Sequence, residues 1–162
     1  MELFEFDIKS NPPRCICDVS AFSLGKPTAT LFDKTANELA IRLSEPQVMV
    51  HKEEWNERER RKVKIWKIVG DKDANKPTQI RKFYDELNMW AEKTRTVRDL
   101  DKNLPFIKMM NAKVAYARGR EHLDDKFVAW FSSCMEQIKA ADDASLAAFQ
   151  NFRTLFEGRA LK

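Results

Sequence analysis

The chain has 162 residues, 43% hydrophobic and 33% charged, the balance of one folded domain rather than a disordered tail. Only 4 Gly and 6 Pro are present, which argues against a many-stranded barrel and for long helices. The net charge of +4 is gathered in the middle: residues 51–120 carry 19 Lys/Arg against 11 Asp/Glu, and each flanking part carries 5 against 7.

In chain order, LFEFDI (Leu3–Ile8) nearly alternates apolar and acidic residues, which predicts a short strand that Asn11-Pro12-Pro13 breaks. CICDVSAF (Cys15–Phe22) predicts a second strand, and Gly25-Lys26-Pro27 a turn. Thr35–Leu43 fits a strand or a short helix equally. From His51 the spacing of Trp55, Val63, Trp66 and Val69 predicts a helix, with Ser44-Glu45-Pro46-Gln47 as its capping box and Gly70 at its end.

Pro77-Thr78 opens the next helix, whose apolar stripe is Ile80, Phe83, Tyr84, Leu87 and Trp90. Thr94–Asn103 reads as a charged connector. Leu104-Pro105 starts a helix with Ile107, Met110, Val114 and Ala117 inside, ended by Gly119. Asp124 caps a helix burying Phe127, Val128, Phe131, Met135 and Ile138. Asp142 or Asp143 caps the last, with Leu146, Phe149, Phe152, Leu155 and Phe156 inside. The expected fold class is therefore mainly α. Residues 51–162 form a single bundle of about five helices, and residues 1–50 a short β-containing extension that packs on it or docks a partner.

Motifs for catalysis are missing. The two histidines, His51 and His122, have no Cys, Asp or Glu at metal-ligand spacing, and Cys15-Ile16-Cys17 is one residue too tight for the common zinc pair. The two strand cysteines are expected on opposite sides, and Cys134 in or near the core. No glycine-rich phosphate loop or nucleophile elbow occurs. Asp124-Asp125 and Asp142-Asp143 sit at helix starts, where they complement the helix dipole. No catalytic residue, metal or cofactor is expected. The longest apolar runs fall short of the ~20 residues that span a bilayer, and no secretory leader pattern opens the chain. An odd number of cysteines makes no disulfide framework. A cytoplasmic protein without membrane contact is expected.

A concentrated basic surface points to a polyanion, usually nucleic acid. Nearly every aromatic falls on an inward stripe, with Trp55, Trp66 and Trp90 in the core or an interface. RNA contact is therefore expected through Lys and Arg to phosphate and sugar. The candidate cations are Lys76, Arg81 and Lys82 around the second helix, and Lys108, Lys113, Arg118 and Arg120 on the third. The last two flank Gly119, where backbone can approach a phosphate. Arg58–Lys67 is a denser run, but Glu57 and Glu59 interleave it.

Two segments resemble a known family. KPTQIRKFYDEL (Lys76–Leu87) and FIKMMNAKVAYARGR (Phe106–Arg120) are similar to segments of the small subunit of type III-A (Csm) CRISPR effector complexes, and AFQNFRTLFEGRALK (Ala148–Lys162) looks like that family's closing helix. The resemblance covers about residues 76–160. It implies a non-catalytic helical bundle, several copies of which stack beside the repeated backbone subunits that hold the CRISPR RNA. Such copies support the guide–target duplex and contact the large subunit. By motif it singles out Arg81, Lys82, Lys113, Arg118 and Arg120, together with Gln79 and Tyr116. Residues 1–50 have no counterpart in the family pattern. The closing helix ends in Gly158-Arg159-Ala160 where a more aromatic or His-containing end is expected.

Overall fold

The computed structural model describes residues 2–160, with side chains to residue 158. The class is mainly α. Strand β1 (Phe4–Asp7) pairs antiparallel with β2 (Arg14–Cys17), and helix α1 (Ala36–Leu43) follows a short 3₁₀ turn and a π turn. A second hairpin, β3 (Gln47–Asn56) with β4 (Arg61–Gly70), precedes five helices. These are α2 (Pro77–Lys93), α3 (Val97–Lys108), α4 (Met110–Gly119), α5 (Asp125–Glu136) and α6 (Asp143–Ala160).

The expected number of bundle helices holds, but their identity shifts at two places. Residues 51–70 form the β3–β4 hairpin, not a helix. Val63, Ile65, Ile68 and Val69 are β-branched, and Lys62 and Lys64 alternate with them, so a period of two wins over the helical spacing of the tryptophans. The four-residue loop between the strands contains neither Gly nor Pro. Arg60 takes its left-handed position (φ 51°), and Asn56 Oδ1 accepts from the Glu59 N–H at 3.0 Å. The expected capping box at Ser44 instead closes α1, where the Ser44 hydroxyl donates to the Ile41 carbonyl.

The connector predicted over Thr94–Asn103 is mostly helix. Thr96 and Asp99 form a reciprocal capping box at the start of α3. Pro105 then lies inside α3 rather than opening a helix, and the rod breaks at Met109, where α4 begins. CICDVSAF is a strand only to Cys17, after which it turns into 3₁₀.

A single core joins all the parts. Trp130 and Phe127 of α5 meet Phe152 and Phe156 of α6 edge-on, with ring centroids 5.3–6.0 Å apart. The (i, i+4) pairs Phe127/Phe131 and Phe152/Phe156 put two aromatics on one face of each helix. The N-terminal part contributes Phe22, Leu24, Leu31, Leu39 and Leu43 to the same core, each fully buried. Gln137 fastens it from α5: its amide donates to the Phe22 carbonyl and its carbonyl accepts from the Leu24 N–H.

Cys15 and Cys17 share the inner face of β2, with Ile16 outside. The expectation of opposite sides is corrected by the two-residue period of a strand. Burial pushes both thiols up to about 12, and Cys134 is fully buried, so all three are poor nucleophiles.

Candidate nucleic-acid interface

Helices α2 and α4 flank a groove of about 500 Å³. Lys82, Phe83 and Glu86 line it from α2, and Lys113, Tyr116 and Arg120 from α4 and its end. Steps of three and four residues place these side chains on one edge of each helix. Phe83 is half-buried and Ala117 buried, so the floor is apolar and the rims are charged.

The groove gathers three of the seven candidate cations, Lys82, Lys113 and Arg120. Lys113 is not free within it: its Nζ lies 2.8 Å from Glu86 Oε1 on the opposite rim. Arg120 stacks on Tyr116, 5.7 Å from the ring centroid, and its Nη1 donates to the phenol oxygen at 3.3 Å. Tyr116, outside the inward stripe of its helix and one of the residues the family resemblance singled out, is 67% exposed and offers an accessible aromatic face.

Lys76 and Arg81 are exposed but lie outside the groove lining. Lys76 is the residue before α2, with its ammonium 3.9 Å from the Asp73 carboxylate. Lys108 and Arg118 turn inward. Lys108 donates to the Met135 carbonyl near the end of α5 at 2.6 Å, and burial lowers its pKa from the ordinary lysine value while Glu136 opposes the shift. Arg118 Nε donates to Asp125 Oδ1 at 2.8 Å, and its Nη2 reaches the Met49 carbonyl of β3 at 3.5 Å. A Cβ built on Gly119 would meet nothing within 4 Å.

A buried polar junction sets the edge of this region. Asn75, in a left-handed conformation (φ 58°), accepts from the Asp124 N–H at 2.9 Å and donates to the Leu43 carbonyl at 3.1 Å. Asp124 accepts from the Phe127 and Gln47 N–H groups, capping α5 and holding β3 at once. Burial pushes the Asp124 carboxyl above the usual range, against those hydrogen bonds. Lys126, 3% exposed, donates to the Arg42 and Glu45 carbonyls at 2.6 Å each. No residue of this junction stood out in the sequence except Asp124, because the partners lie 32 to 84 positions apart.

Among the described residues, no three His, Cys, Asp or Glu side chains are placed to hold a metal ion. No helix there is long and apolar enough to cross a membrane.

Residues 53–158 match the family described as Csm2 Type III-A. The chain belongs to this family. A Csm2-type chain is a small subunit of the type III-A CRISPR effector complex, where it takes its place beside the other Csm subunits. The matched span begins within β3 and runs into α6, so it takes in most of the second hairpin and the whole α2–α4 groove. No curated protein and no solved structure matches this Csm2 family member.

Proposed function

We propose that this subunit is a non-catalytic scaffold whose α2–α4 groove follows an RNA backbone. It works in the cytoplasm as part of a ribonucleoprotein. Its partners are the CRISPR RNA and the target RNA, the repeated backbone subunit, the large subunit and further copies of itself. The observation that carries the reading is the convergence of Lys82, Lys113 and Arg120, from two helices, on one groove beside an exposed tyrosine. Ammonium and guanidinium groups hold phosphates without reading sequence, and Tyr116 offers a face to a ribose or base. Exposed Arg81 and Lys76 extend the basic surface along α2. Lys108 and Arg118 act beside it, tying α3 and α4 to the ends of α5.

The test is the salt dependence of target-RNA retention by the assembled complex. Replacing Lys82, Lys113 and Arg120 by Ala should lower the log–log slope by about two to three, since each phosphate contact contributes ~0.7–0.9. An unchanged slope overturns the reading.

A second reading, a protein–protein adaptor that does not touch RNA, has one observation in its favour. Trp90 and Phe106 stack at 5.7 Å, and Phe106, Met89 and Met109 are exposed nearby. That reading expects assembly to be indifferent to RNA competitors.

A further inference from the structure

The β3–β4 hairpin stands off the helices. Its base is tied down by hydrogen bonds from the Gln47 and Met49 N–H groups to Asp124 and Asp125, and beyond Val50 no backbone bond leaves it. The pairing register puts Met49/Ile68, His51/Trp66, Glu53/Lys64 and Trp55/Lys62 on one face. Val48, Val50, Ile65 and Val63 occupy the other and are buried or half-buried. The first face is therefore the outer one, yet it carries the large aromatics. Trp55 is 57% exposed and Trp66 37%. His51 stacks flat on Trp66, centroids 4.7 Å apart and 6° from parallel.

A two-stranded ribbon that exposes two tryptophans gives up apolar burial it has little of. Lys62 and Lys64 flank the aromatics, and the ribbon as a whole carries seven Lys/Arg against four Glu. Only Glu53 offsets the charge on the outer face. Flat rings at spaced intervals, with cations between them, are the arrangement on which unpaired bases stack while their phosphates are neutralised.

We infer that the outer face of the β3–β4 hairpin is a second nucleic-acid site, a stacking platform for unpaired RNA nucleotides built on Trp55 and the His51–Trp66 pair. The inference goes beyond the groove: it concerns single strands and bases, where the groove concerns a phosphate backbone. An acidic protein surface would satisfy the lysines but leave the flat aromatic faces without their match.

The experiment uses the full chain and a fluorescein-labelled oligoribonucleotide too short to fold, alone or annealed to its complement. Trp55→Ala with Trp66→Ala should weaken single-strand binding about tenfold or more and leave duplex binding in place. Trp55→Phe with Trp66→Phe, which keeps the rings, should stay within about threefold of the parent and guards against a misfolded hairpin. The groove variant lacking Lys82, Lys113 and Arg120 should show the reverse pattern, so the two sites fail separately. Single-strand affinity unchanged in the double Ala variant overturns the inference. So does loss of self-association by that variant with oligonucleotide binding intact, which makes the face an interface between copies.

Discussion

The Lys113 ammonium lies 2.8 Å from the Glu86 carboxylate, a bridge from α4 to α2 across the groove they share. The pair is partly exposed, so its own contribution to stability is about 0–1 kcal/mol. The pair also bears on an incoming phosphate, because Glu86 competes for the cation. Glu86 Oε2 is buried without a partner, so the carboxylate is incompletely satisfied where it stands. Glu86→Gln should therefore raise RNA affinity a few-fold and steepen its salt slope by up to about one, while Lys113→Ala should do the opposite. Fluorescence anisotropy across a salt series reads both. A Glu86→Gln protein with weaker RNA binding would count against the groove.

Lys108 and Arg118 should separate from the groove cations in the same assay. Lys108→Ala removes a cation from the last carbonyls of α5 and should cost about 1 kcal/mol of stability without altering the salt slope. Arg118→Ala cuts the link from α4 to Asp125 and the Met49 carbonyl. It should increase amide exchange at the base of the second hairpin before it changes RNA binding. Denaturant melts and hydrogen exchange distinguish the two.

The junction of Asn75, Asp124 and Lys126 should prove the most sensitive polar site. Lys126→Ala strips a donor from the Arg42 and Glu45 carbonyls and leaves the buried Asp124 without its nearby cation, at an expected ~3–5 kcal/mol. Asn75→Ala loses two buried hydrogen bonds and the residue type that tolerates a left-handed backbone, for about 2–3 kcal/mol. Asn75→Gly keeps the backbone freedom and should recover part of that loss. Urea unfolding measures all three.

Trp130→Ala should empty the centre of the aromatic cluster at a cost of ~3–5 kcal/mol and yield little folded protein. Trp130→Phe should cost clearly less, because it also removes a buried indole N–H that has no acceptor.

Helices α2, α5 and α6 were legible because each carries a local signal: Pro77 at a first turn, Asp124 and Asp142 as caps, phenylalanines four apart. Residues 51–70 misled because Trp55 and Trp66, eleven apart, suit a helix as well as a ribbon, and because Arg60 makes the turn in place of a glycine. The α3 cap at Thr96 and Asp99 was written in the sequence but hidden by the charges around it. At the groove, the residue types were legible and the directions were not. Lys108 and Arg118 look as available as Lys113 until α5 is packed against them, and Tyr116, outside the predicted stripe, shows how far it stands open only once α4 is placed. Trp130 is absent from the predicted stripe although it is the largest fully buried side chain.

The family-matched span opens at Glu53, in mid-strand, while the leucines and phenylalanine that close the core lie upstream of it. Evolutionary kinship and cooperative folding thus draw different borders on this polypeptide. Trimming the chain to its recognisable portion would saw through β3 and discard Leu39, Leu43 and Phe22, so the fragment should expose the apolar partners of those side chains and aggregate, which light scattering checks.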